Sequence, residues 1–232
     1  MENVIDGWTH EVERIALATL GQGLRLIGIA SHGGQAGVSS LAADLAEVTS
    51  LSGVSTLYVD LTTTVLPNSR DIIWRPGEGG AGQAITHDPR GFDVLTARFD
   101  APTRFLFNNV DRLKQSLGEE LARYNAVIVD IPPLCVADAG QINGSAAAAA
   151  CDGVLLVCVS GRITRAELIQ GASALHAAKA NVVGTVLNDL DCPTVGSEIA
   201  REAARLEPFA PRFANWVRGR ALNSPFLNSA AA

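Results

Sequence analysis

Residues 24–63 read LRLIGIASHGGQAGVSSLAADLAEVTSLSGVSTLYVDLTT, and this stretch decides the fold. The near-continuous apolar run Leu24–Ala30 predicts a strand that is buried on both faces of a parallel sheet. Glycines follow it, and from residue 39 onward leucine and valine recur at helical spacing. Residues 55–60 (STLYVD) predict a second strand, which ends in an acid. The stretch therefore predicts a strand, a glycine-rich loop, a helix and a second strand.

Apolar strands and amphipathic helices alternate along the rest of the chain. Further strands are predicted at 92–96, 126–130, 153–159 and 182–188, and helices at 8–20, 110–123, 145–150, 164–180 and 197–206. This alternation predicts a single-domain, three-layer α/β/α fold with a mostly parallel sheet. We expect a domain at 1–207 that includes the N-terminal helix 8–20, followed by a C-terminal tail at 208–232. Residues 62–91, rich in glycine and proline, predict a mobile surface loop.

Composition limits the partners that the chain can have. The 232 residues are 47% hydrophobic, which suffices for one well-formed core, and the net charge of -6 argues against nucleic acid as a partner. No apolar run approaches the roughly 18–20 residues of a membrane span, and no secretory signal is visible. We therefore expect a cytoplasmic protein. The four cysteines lack metal-site spacing and are expected to be buried as small apolar side chains.

Several features of the predicted sheet lie where ligands bind in such folds, outside the carboxyl ends of the strands. They are the glycine loop, Asp60, Asp130 and Asn188. Backbone N–H groups of a glycine loop and of a helix N-terminus cradle phosphate groups, whereas the alternative is an ordinary strand-to-helix turn. The nucleotide-binding residues that we predict are Gly34, Gly37, Val38, Ser39, Ser40 and Asn188.

A magnesium site is predicted beside the loop. Mg²⁺ at nucleotide sites is held by one or two carboxylates together with phosphate oxygens, and Ser39, Asp60 and Asp130 are the candidate ligands. If the protein were an active enzyme, Asp60 and Asp130 would carry the catalysis. The alternative for each acid is a role in fixing a loop or capping a helix. Asn188 is a candidate for hydrogen bonding to a nucleobase or, equally, for capping the following segment.

Four segments carry a resemblance to a known family. They are YNAVIVDIPPLCVADA (124–139), DGVLLV (152–157), VVGTVLND (182–189) and GFDVLTA (91–97). Over about residues 10–207 the chain resembles the bacterial tyrosine autokinases (BY-kinases) of polysaccharide export, and the Asp-x-Pro-Pro motif separates these from their ATPase cousins. The autokinases are a branch of the deviant-Walker P-loop ATPases, so the resemblance implies the MinD/ParA-like P-loop NTPase fold.

The resemblance also implies cofactors and partners. ATP or ADP with Mg²⁺ would be the cofactor, and an inner-membrane polysaccharide co-polymerase would be the partner. The helix near the N-terminus keeps Glu11 and Arg14 where the family has a Glu-x-x-Arg helix that mediates ring assembly, which implies a homo-oligomer.

The departures from the family fall in its catalytic parts. Val38 replaces the Walker A lysine, and Gly33 stands in place of the second loop lysine of the partitioning ATPases. The family's Asp-x-Asp-x-Arg after the second strand is Asp60 followed by Leu-Thr-Thr-Thr here, and the C-terminal tyrosine cluster is absent. A charge-assisted hydrogen bond contributes about 1.5–3 kcal/mol, so loss of the lysine alone would weaken nucleotide binding roughly 10- to 150-fold. We therefore expect ATP or ADP with Mg²⁺ to bind weakly or not at all.

These departures predict a pseudokinase that partners a polysaccharide co-polymerase by binding and assembly. One alternative is an active ATPase or tyrosine kinase in which Arg70, Arg162 or Arg165 replaces the lysine; another is a partitioning-type ATPase switch. The tail combines aromatic and basic side chains, among them Phe213 and Trp216. It predicts a terminal helix packed on the sheet edge, with a membrane surface or a partner protein as the alternative.

Overall fold

The structure is a computed structural model, and it describes residues 5–62, 74–99, 101–135, 140–189, 195–207, 210–224 and 227. The strands are β1 (Leu26–Ser31), β2 (Thr56–Asp60), β3 (Ile85–His87), β4 (Asp93–Thr96), β5 (Ala126–Asp130), β6 (Gly153–Val159) and β7 (Val182–Asn188). The helices are α1 (Ile5–Thr19), α2 (Val38–Leu51), α3 (Ala81–Ala84), α4 (Ala101–Phe107), α5 (Val110–Glu119), α6 (Gly144–Ala149), α7 (Arg165–Ala177), α8 (Val195–Ala204) and α9 (Pro211–Leu222).

The strands form one sheet in the order β3-β4-β2-β5-β1-β6-β7. All neighbouring strands pair in parallel except β3, which is antiparallel to β4 at one edge. In the centre of the sheet, β1, β5 and β6 are buried at every residue, because helices cover both faces. The three-layer, mostly parallel α/β fold that the sequence predicts is confirmed.

Two apolar clusters hold the layers together, one on each face of the sheet. On one face, α2 packs Leu41 and Leu45 against Ile27 and Ile128, and α1 adds Val12. The other cluster joins the sheet to α5 and α6. Burial of one leucine side chain contributes about 1.5–3 kcal/mol to the stability of the fold. The apolar contacts between α2 and the sheet therefore fix the position at which α2 begins.

The segment predicted as a mobile surface loop is partly structured, so that prediction is wrong for Trp74, α3 and β3. Trp74 has 0% of its surface exposed, and its Nε1 donates a hydrogen bond to Glu120 Oε2 at 3.2 Å. Its ring meets that of Phe107 edge-on at 5.2 Å. The segment also contains α3 and β3. Glycine and proline indicated a loop. The tryptophan among them is nevertheless buried in the core, because burial of its large apolar ring stabilises this segment against the rest of the domain. Residues 63–73 lie outside the described residues.

The chain divides into two compact units, 1–188 and 189–232, and the second contains α8 and α9. In α9 the rings of Phe213 and Trp216 stack at 6.2 Å, and their exposed fractions are 55% and 63%. The helix predicted in the tail is present, whereas its packing on the sheet edge and the division of the chain at 207/208 stay predictions. Within the described residues, no helix combines the length and the apolar character that a membrane crossing requires.

Candidate functional site

The loop between β1 and α2 is fixed by its own backbone and by the segment that follows β5. Ser31 Oγ donates to the carbonyl of Gly33 at 2.6 Å. The amides of Leu134 and Cys135 donate to the carbonyls of Ser31 and His32 at 3.0 and 3.1 Å. The loop is therefore held from one side by the chain that carries the Asp-x-Pro-Pro motif.

A single glycine makes the turn into α2. Gly37 is the N-cap residue, with φ of 79° and ψ of 17°, and its carbonyl accepts the first helical bond, from the amide of Leu41 at 3.0 Å. A Cβ at this position would lie 2.5 Å from Asn188 Nδ2. Asn188, at the end of β7, itself donates to the carbonyl of Ala36 at 3.0 Å. Asn188 therefore braces the loop, and its contact with a nucleobase stays a prediction.

The loop borders an open cavity of about 230 Å³ at the start of α2. Gly34, Gly37, Val38, Ser39, Ser40 and Asp130 all line it, so most of the predicted site residues lie together. A Cβ built on Gly33 or Gly34 would meet no atom within 4 Å, so these two glycines leave open space. Whole-ligand pockets measure about 300–1,000 Å³, so this cavity suits a phosphate group better than a whole nucleotide.

The position at which the resemblance predicts a Walker A lysine is apolar. Val38 is the first residue of α2, is buried, and belongs to the apolar cluster under the helix. None of the described residues that line the cavity is a lysine or an arginine. The described walls of the cavity therefore hold no fixed cation.

Asp130 ends β5 and is the acid of the cavity wall. Its exposed fraction is 1%, and Oδ2 accepts a hydrogen bond from the Tyr58 hydroxyl at 2.8 Å. Oδ1 has no hydrogen-bond partner among the described residues. The pKa of Asp130 is raised to about 6, chiefly by burial and to a smaller extent by the Asp60 charge, while the hydroxyls of Ser39 and Tyr58 oppose the shift. A buried carboxylate oxygen without a donor is costly unless an ion or water meets it.

Asp60 is the register partner of Asp130 on the neighbouring strand, but its carboxylate is used differently. Its Oδ1 accepts from the Thr62 amide at 2.8 Å and from the Thr62 hydroxyl at 2.7 Å. Thr62, which the resemblance aligns with the family's second acid, also lines the cavity. This local turn agrees with the alternative predicted for Asp60, that of an acid that fixes a loop.

The donor set of the cavity fits magnesium. Ser39 and Asp130 offer hydroxyl and carboxylate oxygens, which this hard cation prefers, and phosphate oxygens would complete its shell. No group of three or more histidine, cysteine or acidic side chains forms a metal site in the described part of the chain. A cation here would therefore depend on Asp130 and on the ligand's own oxygens, with Asp60 held back by Thr62.

The predicted substitute arginines differ in their placement. Arg162 lines a second cavity, of about 150 Å³, together with the backbone of Gly33 and Gly34. Arg165 opens α7 and is exposed. Arg70 lies outside the described residues. Of the arginines that the structure describes, Arg162 is the one that shares a cavity wall with the loop.

Other predicted residues lie elsewhere on the molecule. On α1, Arg14 and Glu11 form an ion pair of 3.0 Å and are both exposed, and their role in assembly stays a prediction. Cys151 and Cys158 are buried and free, as expected of small apolar side chains, and Cys135 is partly buried. Cys192 lies outside the described residues.

Sequence reasoning missed Tyr58 as a member of the site. The signal that could have found it is the two-residue period of β2, which puts Tyr58 on the same face as Asp60. The contact itself requires the register of β2 against β5, which one chain segment does not reveal.

The fold and the glycine loop define a three-layer P-loop protein. The chain is 28% identical over 187 residues to tyrosine-protein kinase YwqD of Bacillus subtilis, a match that covers 75% of this chain and 76% of that protein. No protein-family profile matches the chain.

Solved structures show the same architecture. The kinase domain of the Escherichia coli tyrosine kinase ETK has a TM-score of 0.58 at 23% identity, over 71% of this chain and 67% of that one. MinD of Pyrococcus horikoshii, solved with Mg-ADP, has a TM-score of 0.54 at 20% identity, over 71% and 70%. The resemblance to bacterial tyrosine kinases within the MinD/ParA-like P-loop proteins is confirmed: the chain is tyrosine-kinase-like in sequence and a P-loop protein in fold.

Proposed function

We propose that the protein is a pseudokinase, which serves a bacterial polysaccharide synthesis or export system by binding and assembly. The observation that carries the proposal is Val38, an apolar side chain in the wall of the cavity at the start of α2. The resemblance to the tyrosine autokinases supplies the pathway and the partner, an inner-membrane polysaccharide co-polymerase. The exposed Glu11 and Arg14 of α1 are the residues proposed for contact between copies of the chain.

The charge balance of the cavity supports weak nucleotide binding without phosphoryl transfer. Backbone N–H groups and the start of α2 still favour an anion there. Phosphoryl transfer depends almost entirely on positioning and on neutralising the transferred group, for which P-loop enzymes use the lysine. Here Asp130 places negative charge at the cavity, and no described wall residue places positive charge there. The ligand proposed for the cavity is therefore the phosphate chain of ADP or ATP, bound with Mg²⁺ and without turnover.

A titration of the purified chain with Mg-ATP tests the proposal. Phosphate release and phosphotyrosine are then measured in a mixture of the chain with the cytoplasmic part of a co-polymerase. We expect weak binding, no phosphate above a protein-free control and no phosphotyrosine. Tight binding with turnover that Asp130→Ala abolishes would refute the proposal.

A second candidate is an active ATPase or kinase in which Arg162 replaces the lysine. The observation that favours it is the cavity wall that Arg162 shares with the loop backbone. This candidate predicts phosphate release that Arg162→Ala eliminates and that Arg165→Ala, an exposed arginine three residues further on, leaves unchanged. Phosphate release that responds equally to both substitutions, or is absent, would exclude it.

A further inference from the structure

The strand register brings a tyrosine to the acid of the cavity. Tyr58 pairs with Ile128, and Asp60 pairs with Asp130, so Tyr58 and Asp130 are diagonal neighbours on one face of β2 and β5. A diagonal across paired strands is within reach of a long aromatic side chain. The Tyr58 hydroxyl bridges it and donates to Asp130 Oδ2 at 2.8 Å.

The phenol is held in place by packing. The Tyr58 ring packs against Phe92 with the centroids 6.3 Å apart. Asp130 Oδ2 therefore has a fixed hydrogen-bond partner, whereas Oδ1 has none among the described residues.

We propose that Tyr58 is a positioning residue of this cavity, whose phenol holds Asp130 Oδ2 and leaves Oδ1 as the one Asp130 oxygen offered to a divalent cation. This inference rests on the proposed function, in which the cavity binds phosphate groups together with Mg²⁺. A carboxylate held in this way binds a cation through one oxygen. Mg²⁺ and Mn²⁺ accept a single carboxylate oxygen in an octahedral shell, whereas Ca²⁺ often takes both oxygens of a carboxylate. The arrangement therefore favours the smaller cations.

The chain contains a matched control for this contact. Its other tyrosine, Tyr124, also donates its hydroxyl to a carboxylate, that of Asp93, at 2.5 Å. Tyr124 precedes β5 by two residues, so at roughly 3.3 Å per residue it lies about 20 Å along the chain from Asp130. Tyr58→Phe and Tyr124→Phe each remove one hydroxyl from a hydrogen bond to an aspartate, but only the first of these aspartates lines the cavity.

The test is a titration with Mn²⁺ at about pH 8, where carboxylates are ionised. Electron paramagnetic resonance measures the bound Mn²⁺, with and without ADP. We expect Tyr58→Phe to weaken Mn²⁺ binding about 10- to 100-fold, the usual effect of losing a partner of a metal ligand. The ratio of Mn²⁺ to Ca²⁺ affinity should fall as well, because Oδ2 becomes free. Tyr124→Phe should change neither quantity, and metal-free ADP binding in chelator should be equal in all three proteins.

A second measurement does not depend on a variant. Fluorotyrosine labelling of the native sequence gives two fluorine NMR signals, which Tyr124→Phe assigns. Paramagnetic Mn²⁺ should broaden the Tyr58 signal and leave the Tyr124 signal sharp.

Three results would overturn the proposal: equal Mn²⁺ affinity in the two variants, a proportional loss of Mn²⁺ and metal-free ADP binding in Tyr58→Phe, or no Mn²⁺ bound by the native protein. Phosphate release by the same preparations would refute the pseudokinase proposal alone, so the two failures can be told apart.

Discussion

Asn188 Nδ2 lies 3.0 Å from the carbonyl of Ala36 and 2.5 Å from the place where a Cβ on Gly37 would stand. The last residue of β7 thus closes directly on the turn that starts α2. The contact joins residues 152 positions apart and leaves no room for a side chain at position 37. The shape of the loop therefore depends on the edge strand β7 as well as on the loop's own glycines.

The first prediction compares two glycines of the loop. Gly37→Ala forces an alanine into the left-handed region, at about 1–2 kcal/mol, and also displaces the Asn188 amide. We expect its free energy of unfolding in urea to fall by at least about 2 kcal/mol, because the two effects add. Gly34→Ala, which meets open space, should unfold as the native protein does. Equal losses in the two variants would contradict the role of Asn188 as a brace.

The second prediction concerns pH. The pKa of Asp130 is raised in the folded state from 3.8 to about 6. Above about pH 4 the unfolded chain releases this proton while the folded chain keeps it, so stability falls as the pH rises towards 6 and then stays lower. Asp130→Asn removes the titration, so at pH 8 this variant should be more stable than the native protein by about 2–3 kcal/mol.

At pH 4 the stability difference between Asp130→Asn and the native protein should largely disappear, because folded Asp130 is then neutral and unfolded Asp130, with a pKa of 3.8, is only about half ionised. Urea unfolding of both proteins at the two pH values measures the change, and other titrating groups cancel in the comparison. A stability difference that is the same at pH 4 and pH 8 would show that Asp130 is not strained by its charge.

The third prediction uses two tryptophans. Trp74 is fully buried against Phe107, whereas Trp216 is 63% exposed. Trp74→Ala should lower the free energy of unfolding by about 3–5 kcal/mol, as large core truncations do. Trp216→Ala should change it by less than about 0.5 kcal/mol. A small effect of Trp74→Ala in urea unfolding would contradict the packing of this segment on the core.

The sequence predicts the central sheet well because apolar strands such as β5 and β6 carry an unbroken local signal. It predicts the glycine loop and Asp130 for the same reason, since spacing alone puts them at strand ends. The partners of these residues are not local. Tyr58 contacts Asp130 because of the strand register. Asn188 contacts Ala36, although the two residues are 152 positions apart in the sequence. The burial of Trp74 was not predicted, because the glycines and prolines around it indicate a loop.

The most direct test is to introduce a positive charge at position 38. Val38→Lys puts an ammonium at the start of α2, in the wall of the 230 Å³ cavity. Calorimetric titration with Mg-ADP should show weak or undetectable binding to the native chain and binding roughly 10- to 150-fold tighter to the variant, because one charge-assisted hydrogen bond is restored. Submicromolar binding by the native chain that Val38→Lys fails to improve would contradict the claim that this cavity has kept its backbone cradle and lost its cation.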